Sequence, residues 1–413
     1  MKLGLIKQQV LALVLVLVAG MATAQPNIIL PRTGITADEI GLLINDNDPL
    51  SRQVGAYYKK ARHIPNGNVI HLRLPASGFA ITAQQFNLLK TEIDRQTPRH
   101  VQAYAVAWTS PYVVGCMSLT SALAFGFDEK YCSKACAATA PSSYFNSEST
   151  YPYEDHQMRP AMMLAGLGFE QVKTMIDRGV ASDSSFPEGT AYLLNTSDKG
   201  RSVRATQFGL AKKELADLLP IQQLNADFIT DRKDVLFYFT GMVHVAHLDT
   251  LEFKPGALAD HLTSGGGSLE GPGGFQMSVL RWLEAGAVAS YGTVSEPCNH
   301  RQKFPLPVAA MFHYLLGATA IEAYWKSVAW PGEGLFVGEP LASPFKPKLT
   351  PTGQNTYELQ AISPQAMTWR VLQSDSIMGP FEPTMAGIPV QRGRNQVGLQ
   401  IPANSKAYIR LIR

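Results

Sequence analysis

The chain has 413 residues, of which 46% are hydrophobic and 17% charged, and its formal net charge is +3. This composition is ordinary for a globular protein. The sequence has no basic tract of the kind that nucleic acid needs and no cationic amphipathic helix suited to a membrane surface, so both of these functions are disfavoured.

The first 24 residues have the organisation of a secretory signal peptide. Lys2 and Lys7 form a short basic region, residues 10–18 an apolar core, and Ala22-Thr23-Ala24 a small-x-small cleavage site. An uncleaved anchor is the alternative, although the apolar run is short for a membrane span. We expect an exported protein, periplasmic or extracellular, with no stable membrane insertion after cleavage.

Strands and helices alternate from residue 39 to residue 109. Strands are predicted at 39–45, 68–74 and 101–109, and helices begin near Ser51 and after Thr82. Thr82 and Gln85 have the spacing of a capping box. Short connections in a strand–helix alternation indicate right-handed βαβ units and a parallel sheet.

Residues 110–166 interrupt this alternation and contain three of the four cysteines. The segment is too long for a plain connection in a compact domain, so we predict a disulfide-tied excursion over the surface. Disulfides fit an exported chain better than zinc, because the C-x3-C pair at 132 and 136 has no matching partner pair. The four cysteines allow three pairings, and the sequence does not choose among them.

The alternation resumes at residue 169. Helices are predicted at 169–178, 202–219, 274–285 and 306–328, and strands at 190–195, 235–240, 287–294 and 335–341. Beyond residue 345, short runs that alternate apolar and polar residues indicate a small antiparallel β module. The predicted organisation is a signal peptide at 1–24, an α/β domain with a mostly parallel sheet flanked by helices at 25–345, and a C-terminal β module at 346–413.

Histidines follow the predicted strand 235–240. His244 and His247 lie just beyond its end, where open α/β sheets bind their ligands. Either histidine has the chemistry of a general base, and the structural alternative is a hydrogen-bonded residue at the start of a loop. No metal site is predicted, because only Asp249 or Asp260 would complete the H-x-x-H pair.

A hydroxyl-bearing turn and two further polar residues complete the candidate site. The Thr263-Ser264-Gly265-Gly266-Gly267 turn places a hydroxyl beside backbone N–H groups, as an oxyanion site requires, or is an ordinary glycine-rich connection. Glu296 either orients the base or fixes a turn, and Cys298 is either a thiol nucleophile or a disulfide partner. The chain has no nucleophile elbow, P-loop or dinucleotide fingerprint, and no cofactor is predicted.

Several segments in fixed order resemble a family of exported bacterial proteins that has no assigned function. These segments are FKPGALADHLTSGGG, LRWLEAGAVASYGTVSEPC, KFPLPVAAMFHYLLGATAIEAYWKSV, GLFVGEPLASPF, NDNDPLSRQVGAYYKKARHIPNGNVIHLRLP and YLLNTSDKGRSVRA. The resemblance covers Ile40 to Phe345, which is most of the chain that follows the signal peptide.

More distantly, the core resembles the caspase-like fold of the gingipain-type cysteine peptidases. In that fold one strand ends in a catalytic His, the next ends in a catalytic Cys, and a Gly-Ala-hydrophobic-Ala-x-x-Gly strand follows, similar to Gly286–Gly292 here. The resemblance places the His at His244, which lacks the usual flanking glycine, and the Cys at about Thr263-Ser264, where there is no cysteine. It implies a peptidase-like fold more than peptidase activity.

Two function classes stay open. In the first, the protein is a pseudo-peptidase that binds an unidentified protein or glycan, with binding residues His247, Asp260 and Thr263 at the strand ends, or through its β module. In the second, it is a secreted hydrolase that uses Ser264 or Cys298 as nucleophile, His244 as base and Glu296 as orienter. The sequence does not indicate an oligomeric state.

Overall fold

The structure is a computed structural model that describes residues 26–75, 78–134, 136–270, 275–402 and 404–413. The predicted signal peptide lies outside the described residues. In chain order the strands are β1 (Asn27–Ile29), β2 (Ile40–Asn45), β3 (Val69–Leu72), β4 (Ala80–Ile81), β5 (Ala103–Val106), β6 (Val113–Val114), β7 (Met117–Ser118), β8 (Ala161–Met163), β9 (Thr190–Leu194), β10 (Ile221–Leu224), β11 (Val235–Thr240), β12 (Phe253–His261), β13 (Ala289–Thr293), β14 (Gly334–Gly338), β15 (Lys348–Gly353), β16 (Thr356–Ser363), β17 (Met367–Ser374), β18 (Glu382–Pro383), β19 (Ile388–Val390), β20 (Gly393–Gln400) and β21 (Tyr408–Ile412). The α-helices are α1 (Pro49–Arg62), α2 (Ala83–Gln96), α3 (Leu119–Phe125), α4 (Pro152–His156), α5 (Phe169–Ser182), α6 (Phe208–Leu215), α7 (Leu280–Ala285), α8 (Pro307–Leu315) and α9 (Ala320–Trp325).

A large mixed sheet forms the centre of the α/β domain. Its ten described strands have the order β10-β9-β11-β12-β13-β14-β8-β5-β2-β3. The ladders from β10 to β13 and from β8 to β3 are parallel, β14 is antiparallel to β13, and β14 meets β8 at one residue pair, Val337 with Met163. Every residue of β2, β5, β9, β11 and β13 is buried, as expected for strands covered by helices on both faces.

The helix ends follow the local sequence signals. Asp48 caps α1 by accepting a hydrogen bond from the Leu50 N–H at 2.8 Å, and Pro49 occupies the first helical turn, where its missing N–H costs nothing. The predicted capping box is present at α2, with Thr82 and Gln85 bonded reciprocally. These signals set where two of the crossover helices begin.

A buried carboxylate joins β14 to α1. Glu339 directly follows β14, and its Oε1 accepts hydrogen bonds from the Tyr58 hydroxyl at 2.8 Å and from Arg62 Nε at 3.0 Å. Arg62 also pairs with Asp183, just beyond α5. Glu339 is wholly buried, so its carboxylate fixes the packing of these elements.

Several elements differ from the sequence predictions. The excursion at 110–166 contains β8, a strand of the large sheet. The predicted helix at 306–328 is divided into α8 and α9, because Gly317 has a left-handed φ of 95° and Thr319 caps a new helix. The predicted helix at 202–219 begins as a 3₁₀ segment, and in the described part of 274–285 only α7 is helical. β10 and β12 are strands that the sequence pattern does not predict.

All four cysteines are paired. The disulfides are Cys116–Cys132 and Cys136–Cys298, which agrees with the prediction of disulfides and is consistent with an exported protein. The second bond joins the excursion to the loop after β13 across 162 residues of sequence. None of the helices in the described ranges combines the length and the apolar character that crossing a bilayer requires.

The C-terminal module contains two small sheets around one core. β15, β16 and β20 form an antiparallel sheet, and β17 pairs with β18, β19 and β21. The N-terminal strand β1 adds to this module by pairing in parallel with β21, so part of the module comes from the opposite end of the chain. Trp369, Leu359 and Ile409 lie in its core. The Arg394 guanidinium donates to the Phe186 carbonyl at 3.0 Å and so connects the module to the α/β domain.

Candidate functional site

The candidate site is formed by the loops that follow β9, β11, β12 and β13. Gly241, at the end of β11, packs directly on the Arg201 backbone, and Gly292 of β13 packs on the backbone of Gly266 and Gly267, so neither glycine has room for a Cβ atom. The loop after β5 joins them, because the Tyr112 and Ser268 hydroxyls lie 3.4 Å apart. The candidate residues of the sequence analysis, apart from Asp260 within β12, therefore lie in one connected group of loops.

The Thr263 side chain is the centre of a hydrogen-bond network. Its hydroxyl donates to Gln276 Oε1 at 2.7 Å and accepts from Arg201 Nε at 3.0 Å. Arg201 is itself held by Asp198, with Nη1 2.9 Å from a carboxylate oxygen. Thr263 was predicted to contact a ligand, but it is wholly buried and its hydroxyl is already bonded, so this assignment is corrected.

Two backbone N–H donors of the glycine turn, and the N–H of Ser268 that follows it, are occupied. The Gly265 N–H donates to Gln276 Oε1 at 2.5 Å, the Gly267 N–H to the Thr293 carbonyl at 2.9 Å, and the Ser268 N–H to the Gly265 carbonyl at 3.1 Å. An oxyanion site needs such N–H groups to be free and aimed at the reacting oxygen. The turn is thus braced by internal hydrogen bonds.

Ser264 and His244 are not joined by a hydrogen bond. His244 is exposed, and its Nε2 donates to the Phe275 carbonyl at 3.1 Å. Because a carbonyl oxygen only accepts, the proton of a neutral His244 ring lies on Nε2 in this bond. Ser264 is half-buried, and its carbonyl accepts from the Thr293 hydroxyl at 2.9 Å. The two side chains share the site without forming a nucleophile–base pair.

His247 lies farther along the same loop and is also exposed. It has a left-handed φ of 60°, and its ring packs against Phe228 with 4.6 Å between centroids. A non-glycine residue at positive φ is uncommon and worth notice at a loop. The His247 side chain is therefore exposed at the surface of this loop.

Asp260 lies beneath the site and does not reach its surface. Both Asp260 and Arg204 are buried, with 2.6 Å between a carboxylate oxygen and a guanidinium nitrogen. Burial raises the pKa of Asp260 to about 6, against the opposing attraction of Arg204. Arg204 also donates to the Thr240 carbonyl at 2.6 Å. The assignment of Asp260 as a ligand-binding residue is therefore corrected to a structural role.

His261 is a site residue that the sequence analysis does not single out. Its Nδ1 accepts from Trp282 Nε1 at 2.9 Å, and its Nε2 donates to the Met277 carbonyl at 3.0 Å. Burial lowers the pKa of His261 to about 3, so the ring is neutral. Its bond to Met277 fixes the segment that carries Gln276. Recognition of β12 as a strand would have placed His261 at a strand end.

Glu296 and Cys298 follow β13 and hold the loop in place. Glu296 is exposed, and its Oε1 accepts a hydrogen bond from the Cys298 N–H at 2.7 Å. Of the two roles that the sequence analysis offers for Glu296, this bond corresponds to the fixing of a turn. The sulfur of Cys298 is bonded to Cys136, so the residue offers no thiol. The assignment of Cys298 as a nucleophile is corrected on this ground, because the thiolate is the nucleophilic form.

In the described ranges, no group of three or more His, Cys, Asp or Glu side chains is arranged to hold a metal ion. A cleft of about 740 Å³ lies beside the loop after β9, and the cations Lys199 and Arg301 line it. The sequence analysis does not single out these two residues.

No family model, curated protein or solved structure matches the chain. The structure alone therefore defines the class of the protein. It is an α/β protein with a large mixed sheet and a small antiparallel β sheet.

Proposed function

We propose that the protein is an exported, non-catalytic binding protein with a caspase-like architecture, and that its ligand is a protein or a glycan bound at the strand-end loops. The strand order supports the architecture. His244 follows β11, Thr263 and Ser264 follow the adjacent parallel strand β12, and β13 and β14 then pair antiparallel. These positions match those that the gingipain-type resemblance assigns to a catalytic His and Cys.

The contact of Gln276 with the glycine turn carries the non-catalytic part of the proposal. One amide oxygen accepts both the Thr263 hydroxyl and the Gly265 N–H, at 2.7 and 2.5 Å. A nucleophile at residue 264 would need the neighbouring N–H to stabilise developing negative charge. Here that donor is satisfied by the protein itself, and a substrate oxygen would have to displace Gln276.

The other candidate catalytic groups also have partners within the protein. His244 Nε2 donates a hydrogen bond to the Phe275 carbonyl, and the Cys298 sulfur is held in a disulfide. A serine hydroxyl is a weak nucleophile unless an adjacent base activates it. Ser264 is therefore expected to have ordinary serine reactivity.

The proposal is tested by covalent labelling of the mature protein. We expect a fluorophosphonate and an iodoacetamide probe to leave Ser264 unmodified and to find no reactive thiol. Intact-mass spectrometry of the wild type, Ser264→Ala and His244→Ala reads the result. Labelling that disappears in both variants would establish the hydrolase alternative, with Ser264 as nucleophile and His244 as base.

A further inference from the structure

The cleft beside the loop after β9, which we call the Lys199–Arg301 cleft, contains cations but no carboxylate. It has a volume of about 740 Å³, and its lining residues are Asn195, Lys199, Ser202, Val203, Ala205, Thr206 and Arg301. The cleft lies at the carboxyl end of β9, at the edge where α/β sheets bind ligands. Its polarity and its position are both those of a binding site for an anionic group.

Both cations of the cleft have donors to spare. Lys199 Nζ donates to the Thr196 carbonyl at 2.8 Å and to Asn195 Oδ1 at 3.5 Å, and Arg301 Nη1 donates to the Thr206 hydroxyl at 2.8 Å. Neither cation forms an ion pair with a described residue. A guanidinium has five N–H donors and an ammonium three, so several remain for a ligand. The bond to Thr206 also holds the Arg301 side chain in place.

Three cations that are close to Lys199 or Arg301 in the sequence form ion pairs with carboxylates. Arg201 is paired with Asp198 at 2.9 Å, Arg204 with Asp260 at 2.6 Å, and Lys303 with Glu333 at 3.0 Å. Each of these three cations lies within five residues of Lys199 or Arg301 in the sequence. Among these five cations, only the two that line the cleft form no ion pair with a described residue.

Arg301 also borders a second, apolar hollow. This hollow has a volume of about 130 Å³, and its lining includes Phe145, Phe304 and Leu306. Because Arg301 lines both spaces, a ligand that pairs with this guanidinium lies next to an apolar recess. The recess is small, as expected for the acceptance of a single apolar side chain.

We propose that the Lys199–Arg301 cleft binds an acidic peptide segment. A carboxylate of the segment pairs with Lys199 and Arg301, and an adjacent apolar side chain enters the hollow beside Phe304. A peptide fits better than an acidic glycan, because the residues that line the larger cleft include no aromatic side chain on which a sugar ring would stack. The inference rests on the proposed function, since it names the ligand class of a strand-end binding protein.

The test uses short fluorescein-labelled peptides with a central Glu-Leu pair, and matched peptides with Gln-Leu or Glu-Ser in its place. Fluorescence polarisation measures their binding to the mature protein. We expect Glu-Leu to bind most tightly and Lys199→Ala/Arg301→Ala to weaken it about tenfold or more, as the loss of charge-assisted hydrogen bonds implies. Ala329→Leu, which fills the apolar hollow, is expected to remove the preference for Glu-Leu over Glu-Ser without abolishing binding.

The control variant Lys213→Ala/Arg95→Ala removes the same charge from exposed positions outside the cleft and is expected to bind as the wild type does. Equal binding by the wild type and the cleft variant, or equal binding of Glu-Leu and Gln-Leu, would overturn the proposal. Cleft-dependent binding of a uronic-acid oligosaccharide with none of the peptides would overturn the peptide class. The proposed function is tested separately, because labelling of Ser264 would contradict it whatever the peptides do. A failure of the peptides to bind would overturn only the proposal for the cleft.

Discussion

His261 occupies a buried position that requires a neutral imidazole. One ring nitrogen accepts from Trp282 and the other donates to Met277, so a second ring proton would oppose the Trp282 bond. Burial lowers the pKa of His261 from 6.5 to about 3. The unfolded chain therefore binds this proton more readily, and the stability that depends on a neutral ring is lost as the pH falls from 6.5 towards 3.

We expect His261→Gln to flatten the pH dependence of stability. By linkage, this histidine lowers the free energy of unfolding of the wild type by about 2 kcal/mol between pH 7 and pH 5. Urea unfolding at both pH values measures the difference, and the exposed His244→Gln serves as control. An unchanged pH dependence in His261→Gln would contradict a buried neutral ring. The comparison is made between variants because Asp260, whose pKa burial raises to about 6, acts in the opposite direction as the pH falls.

At the scale of elements, the site depends on close packing between β13 and the glycine turn after β12. A Cβ at Gly292 would meet the backbone of Gly266 and Gly267, which cannot move aside as a flexible side chain does. A Cβ at Gly200, in the loop after β9, would meet the Asn299 and Asp198 side chains at 3.5 Å, an ordinary contact.

Gly292→Ala is accordingly expected to lower the free energy of unfolding by about 1–3 kcal/mol or more, the usual cost of overpacking. Gly200→Ala is expected to change it by less than about 0.5 kcal/mol, as surface substitutions usually do. Urea unfolding followed by near-UV circular dichroism measures both variants. Equal stability of the two would show that the turn does not pack on β13 as described.

Strand β11 shows what a sequence pattern predicts well, and β12 shows where it fails. Val235 to Thr240 is a continuous apolar run, and the predicted and observed strands agree. β12 contains Pro255, Gly256, Asp260 and His261, residues that are rare inside buried strands. They are accommodated by tertiary contacts, since Arg204 pairs with Asp260 and Trp282 bonds His261, and such partners are distant in the sequence.

At the scale of the whole molecule, contacts between residues distant in the sequence decide which candidate side chains are free to react or to bind a ligand. The strand pattern placed His244, Glu296 and Cys298 near predicted strand ends, the resemblance placed Ser264 at another, and the structure brings their loops together. The pairing of Cys298 with Cys136 joins residues 162 positions apart, and the addition of β1 to the C-terminal module joins the two ends of the chain. No local pattern encodes either contact, so the sequence alone left both roles of Cys298 open.

The central claim is that the strand-end loops bind without catalysing, and Gln276 offers the most direct test. Gln276→Ala frees the Gly265 N–H and the Thr263 hydroxyl that the wild type keeps occupied. The measurement is the rate at which a fluorophosphonate modifies the wild type, Gln276→Ala and Gln276→Ala/Ser264→Ala, followed by intact mass. We predict no adduct on Ser264 in the wild type or in the double variant, whereas an adduct confined to Gln276→Ala would show that Gln276 blocks the turn, as the proposed function requires. An adduct on Ser264 in the wild type would contradict the claim and identify a serine hydrolase.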